Sequence, residues 1–167
     1  MSSMALAHIT EGYRLPPVPW RDPQTVSPEK LAEYIQMLEA ACAEDPYSAD
    51  LRTCLGMAHA MNYQVYHSMD DLEHAIRLEP EHFFAQFKYA ELFFRLRALQ
   101  RAEAEALRAL EIAHNNWEVS MARRLLLEIR TLNRAGARHI VSTKPLAGPT
   151  GVLLVMLLVT TLVMLWR

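Results

Sequence analysis

Positions 34 residues apart along this chain repeat one another. Pro46 recurs as Pro80, each directly after an acidic residue, Asp45 and Glu79. Ala41, Ala75 and Ala109 share a second column, Leu38, Leu72 and Ala106 a third, and Leu55-Gly56 returns as Tyr89-Ala90. A fixed period of that length means stacked copies of one small unit, because a single copy cannot bury its own apolar face. The unit has to be helical. Between Pro28 and Pro145 only Pro46 and Pro80 interrupt the chain, both where helices could end, and 5 Gly in 167 residues leave little turn material for a β fold. The spacing predicts helices over 28–44, 49–63, 68–79, 83–97, 100–114 and 117–134. Ser27-Pro28 reads as the cap of the first, with Leu31, Ile35, Leu38 and Cys42 as its core stripe.

The columns have a packing logic. Small residues at Gly56 and Ala90, and Ala at Ala75 and Ala109, let antiparallel helices approach closely, larger neighbours fill the gap, and Pro ends the second helix of a pair. On these residues, and on the stretch Asp71-Leu-Glu-His-Ala-Ile-Arg-Leu-Glu-Pro-Glu-His82, the chain resembles the tetratricopeptide repeat (TPR) family. The resemblance implies an all-α, TPR-like helical-repeat (α-solenoid) domain over 27–134, with full repeats at 49–82 and 83–116 and flanking half-repeats at 28–48 and 117–134. The chain departs from the family at several places. Arg52 and Gln86 stand where Trp is common, His59 and Phe93 where Tyr is, Ser68 replaces Ala, and His114 replaces the closing Pro. Arg123 and Arg124 occupy the apolar and small places of a further repeat, so the helix over 117–134 is expected to cap the stack.

The C-terminal end is of another kind. From Pro145 to Trp166 no charged residue occurs in 22 positions, and 146–166 is long enough to cross a hydrocarbon core of ~30 Å as a helix. Only Thr160 and Thr161 interrupt its aliphatic part, and Trp166-Arg167 suits a far interface. A single C-terminal transmembrane helix is therefore expected, a tail-anchor layout. Residues 1–116 carry 10 Lys and Arg against 17 Asp and Glu, net −7, whereas 117–144 carry 6 against 2, net +4. The basic part, with Arg134, Arg138 and Lys144 and a linker over 135–145, precedes the span, as expected for a segment lying on an anionic cytoplasmic leaflet. The N-terminus has no basic region ahead of an apolar run of secretory length, so a single-pass protein with a cytoplasmic N-terminal domain is predicted. Cys42 and Cys54 lie in apolar stretches and read as buried free thiols.

Chemistry is sparse. His67 and His74 lie seven apart on one helical face beside Asp70 and Asp71, the nearest approach to a metal set, but without H-E-x-x-H or a Cys pair a solvated face is the plainer reading, and no metal or cofactor is expected. There is no Gly-rich phosphate loop, no G-x-S-x-G elbow and no nucleophile with a recognisable base, so no enzyme is expected. The acidic repeat region argues against nucleic acid. What remains is binding. In TPR proteins the first helix of each pair lines a groove, and the matching places here are Asp50, Thr53, Met57 and Met61, then Phe84, Phe87, Glu91, Phe94 and Arg95. That set is rich in Met and Phe, suiting an apolar helix or extended segment of another protein, or else it is core. The Lys and Asn places with which chaperone-binding TPR domains hold a C-terminal carboxylate are Thr53, Met57 and Glu91 here, which disfavours that ligand.

The arm over 1–26 holds Leu15-Pro-Pro-Val-Pro-Trp20, whose Pro16, Pro17, Pro19 and Trp20 suit docking in the protein's own groove or on a partner. A membrane-anchored adaptor, an accessory or assembly subunit of a larger complex, is the leading expectation, with lipids and transmembrane helices as partners of the anchor. A metal- or haem-associated subunit of a respiratory or photosynthetic complex is a second. The layout of arm, two repeats and tail also resembles the mitochondrial fission adaptor of eukaryotes, which implies a tail-anchored recruiter.

Overall fold

A computed structural model describes residues 26–141, with side chains to Ala135, together with Met164 and Trp166. Six helices follow one another among them: α1 Pro28–Glu44, α2 Ala49–Met61, α3 Val65–Leu78, α4 Phe83–Arg95, α5 Leu99–Glu111 and α6 Asn116–Val141. The chain divides into two compact units between Arg130 and Thr131. In the first, α2 packs on α3 and α4 on α5 as hairpins, α1 lies against α2, α3 against α4, and α2 beside α4. The repeat of the sequence is thus a repeat of helical hairpins.

Local chemistry sets the helix starts. The Ser27 hydroxyl accepts from the Lys30 amide at 3.4 Å with Pro28 in the first turn, and Ser48 accepts from Leu51 at 3.2 Å. One period after Ser48, His82 does the same work through its ring, accepting from the Ala85 amide at 3.1 Å. Two expected boundaries differ. α3 starts at Val65 rather than at 68, and Ser68 is a fully buried residue of the α2/α3 contact within it. α6 runs to Val141, so the backbone of 135–141, expected as linker, is helical; no Pro follows until Pro145 to stop it. Among the described residues no helix is long and apolar enough to cross a membrane. The span expected over 146–166 lies outside the described residues except for Met164 and Trp166, which are exposed. Pro16, Pro17, Pro19 and Trp20 of the arm, and Lys144, also lie outside them.

The turns inside the two hairpins repeat in detail. Tyr63 and Arg97 have φ of 59° and 61°, and the next amides reach back, Gln64 to the His59 carbonyl at 2.9 Å and Ala98 to the Phe93 carbonyl at 3.0 Å. These are Schellman-type helix ends whose left-handed residue would normally be Gly. Tyr63→Gly and Arg97→Gly should therefore each raise stability in urea denaturation by about 0.5–1 kcal/mol, since a side chain there costs on the order of 1 kcal/mol.

Burial falls into two clusters. Leu31, Tyr34, Ile35, Leu38, Leu51, Cys54 and Leu55 join α1 to α2, while Leu72 joins Phe83, Tyr89, Phe93, Ala106 and, from α6, Leu125, Leu126 and Ile129. At the α2/α3 crossing a Cβ on Gly56 would stand 2.8 Å from Leu72 Cγ and 3.2 Å from the Ser68 carbonyl oxygen, so only Gly permits the approach.

Where the family favours Trp, this chain crosses its hairpins with polar pairs. Arg52 Nη1 donates to Asp71 Oδ1 at 3.1 Å, and 34 residues on, Gln86 Nε2 donates to Glu105 Oε2 at 2.8 Å. Asp71, Gln86 and Glu105 are buried, and Arg108 completes the second pair at 3.2 Å from Glu105.

Candidate functional site

α2 and α4 lie side by side and turn a common set of positions to one face. Of the nine residues assigned to a groove, three are interior. Thr53 is buried and spends its hydroxyl on the Ala49 carbonyl at 2.7 Å, Met57 belongs to the first core cluster, and Phe87 to the second. Asp50, Met61, Phe84, Glu91 and Phe94 are half-buried, and Arg95 is exposed. The face is therefore less greasy than its composition implies, because a short stack recruits part of it as core.

Charge organises what remains. His82 Nδ1 accepts from its own helix, so Nε2 carries the proton and donates to Asp50 Oδ1 at 2.8 Å, tying α2 to the start of α4. Along α4, Glu91 accepts from Lys88 at 2.8 Å and from Arg95 at 3.2 Å. Burial raises the Glu91 pKa, but Lys88 and then Arg95 outweigh it, so the carboxyl titrates below its ordinary value. A carboxylate whose folded pKa is depressed adds stability that is present above the unfolded pKa and lost as pH falls through the folded one. Acid titration of the fold should show this loss, and Glu91→Gln should flatten that part of the stability-against-pH curve.

The aromatic edge of the face was not foreseen. The Phe84 ring lies 5.8 Å from Trp117, itself 40% exposed, and Phe83 stacks on Phe87 at 5.7 Å. Trp117 stands in the column of Ala49 and Phe83, not in a groove column, so the repeat register gave no signal for it. Of the basic residues expected near a membrane, Arg134 is exposed and Arg138 belongs to α6 by its backbone.

Behind this face, α1, α2 and α3 enclose a cleft of about 340 Å³ lined by Glu39, Cys42, Arg52, His59, His67 and Asp71. His59 Nδ1 is 2.8 Å from Asp71 Oδ2, and its ring centroid is 5.4 Å from that of His67. The sequence pairs His67 with His74, whereas the fold sets it against His59. Among the described residues no group of three His, Cys, Asp or Glu side chains is gathered to hold a metal ion. Burial pushes the Cys42 thiol up to about 11 and that of Cys54 up to about 12, so both are unreactive in place.

The stacked hairpins, the small residues at their crossings and the shared α2/α4 face define the class: this is a TPR fold. No protein-family model matches the chain, and no curated protein does. Among solved structures, it is similar to the first TPR of Spaghetti (RPAP3) bound to an HSP90 peptide, with TM-score 0.58 and 21% identity over 79% of this chain and 95% of that one. It is similar to the Yersinia enterocolitica type III secretion chaperone SycD in complex with a peptide of the translocator YopD, with TM-score 0.59 and 18% identity over 76% and 95%. The Sgt2 TPR domain from Aspergillus fumigatus matches with TM-score 0.61 and 12% identity over 88% and 93%. At these identities the likeness establishes the fold.

Proposed function

We propose that the protein is a non-enzymatic adaptor that holds an amphipathic segment of a partner protein on the α2/α4 face, at a membrane to which the apolar run over 146–166 ties it. The observation that carries the reading is the composition of that face: half-buried Met61, Phe84 and Phe94 and the Trp117 edge alternate with Asp50, Glu91 and exposed Arg95. Partly exposed aromatics and Met beside fixed charges are what a peptide needs to find both apolar anchors and register. Two of the similar structures hold peptides, which supports an extended or helical segment as the ligand class. The anchor reading rests on the uncharged run of 22 positions and on the net +4 segment before it. It makes the protein an accessory or assembly subunit, its N-terminal domain on the cytoplasmic side.

The test is purification of the full-length protein from its native membrane in mild detergent, beside a Phe84→Gln, Phe94→Gln variant. Phe87 is left alone because changing it would damage the core. A defined companion recovered with the wild type and lost with the variant supports the reading. Companions indifferent to the variant move the contact to the arm or the tail, and recovery of the chain alone rejects a stable subunit.

A further inference from the structure

The cleft behind the peptide face carries chemistry of its own. Arg52, Leu55 and His59 line it from α2, and at about 100° per residue they point roughly opposite to Thr53, Met57 and Met61. Asp71 accepts from Arg52 at 3.1 Å and lies 2.8 Å from His59 Nδ1, and with the carboxylate as acceptor Nδ1 is the donor. In the neutral ring, Nε2 is then a bare lone pair. It stands 4.0 Å from Glu39 Oε1, beyond direct hydrogen-bond reach and within the span of one shared donor.

That spacing selects among bridging groups. An ammonium nitrogen ~2.8 Å from both acceptors would subtend about 90°, within reach of a tetrahedral donor. A zinc ion at ~2.1 Å from both would need an angle of roughly 145°, far from tetrahedral. The surroundings are acidic as well. Arg52 is engaged by Asp71, Glu39 is 57% exposed, and α1 carries the exposed carboxylates Glu29, Glu33 and Glu44 against the single cation Lys30. The cleft continues into a second space of about 270 Å³ that shares Glu39, His59 and His67 and adds Asn62 and Gln64.

We propose that this cleft is a second docking site, in which a lysine ammonium from a basic segment of a partner protein bridges Glu39 and His59. The site is independent of the α2/α4 face, and the failure of either reading leaves the other standing.

The test uses the full-length protein in an uncharged detergent at about pH 8, with the His59 and His67 rings followed by NMR. The probes are pentalysine, the same peptide acetylated on every side chain, and zinc. Pentalysine should shift both rings saturably, the acetylated peptide should not, and Glu39→Gln should weaken the binding about tenfold, the worth of one charge-assisted hydrogen bond. Glu33→Gln, which removes an exposed charge of the same helix outside the cleft lining, should leave it nearly unchanged. Equal weakening by both variants would overturn the proposal in favour of diffuse attraction. So would equal binding of the acetylated peptide, absence of any ring shift, or stoichiometric zinc binding that excludes pentalysine.

Discussion

Asp71→Ala is expected to be among the most damaging single changes in this protein, costing about 2–4 kcal/mol. The carboxylate is 8% exposed and answers two donors at once, Arg52 on one oxygen and His59 on the other. Removing it leaves a guanidinium, largely withdrawn from water, and a buried imidazole N–H facing no acceptor; breaking such a pair costs far more than the pair contributes in place. Arg52 is part-exposed and regains some solvation, which keeps the figure below the upper end of that range. The midpoint of thermal unfolding should fall by roughly 10–30 °C, at ~4–8 °C per kcal/mol for a domain of this size. A double-mutant cycle with Arg52→Met checks the mechanism: with the cation gone, loss of Asp71 should cost substantially less, and full additivity would reject the coupling.

Leu72→Ala should be comparably severe, at about 3–5 kcal/mol, because Leu72 is 1% exposed and sits where α3 crosses Gly56. Gly56→Ala is the informative companion. Its Cβ would meet Leu72 Cγ at 2.8 Å, an overlap costing about 1–3 kcal/mol, only partly offset by the ~1 kcal/mol better helix propensity of Ala. Combined, the two changes should cost less than their sum, because the new methyl occupies space vacated by the lost side chain. Urea denaturation of the two single variants and the double one measures this; a strictly additive result would mean that the helices had moved apart.

Much of the fold was legible because packing periodicity is a property of residue size. The columns of Ala41, Ala75 and Ala109 and of Gly56 and Ala90 located the hairpins before any coordinates, since only small side chains allow such crossings. The start of α3 was less legible: the helix expected from 68 begins at Val65, and Ser68 lies buried at a crossing inside it. The face was half legible. Column matching picked out one side of α2 and α4, but whether Met57 and Phe87 face a partner or the interior depends on how many repeats share the core, which no column reveals. The polar crossings were present in the sequence as Arg52 with Asp71 and Gln86 with Glu105, each 19 apart and 34 from its counterpart. Only Arg52 and Gln86 stand out there, as departures from Trp. The His59–His67 contact had no local signature, since it joins the end of one helix to the start of the next across a turn.

The division of the interior into two clusters bears on how the protein opens. In a linear stack each element rests only on its neighbours, so an end element can detach without the rest unfolding. α1 is such an element: its buried residues all belong to the α1/α2 cluster, whereas Leu72 and α4 to α6 form the other. Cys42 and Cys54 both belong to the α1/α2 cluster, Cys42 at the border of the cleft and Cys54 fully enclosed. Their alkylation by a thiol reagent therefore clocks the lifting of one helix rather than global denaturation. In dilute urea the modification rate should climb before far-UV signal from α4 to α6 is lost, and substitution of Leu38 should accelerate it while substitution of Ile129 should not.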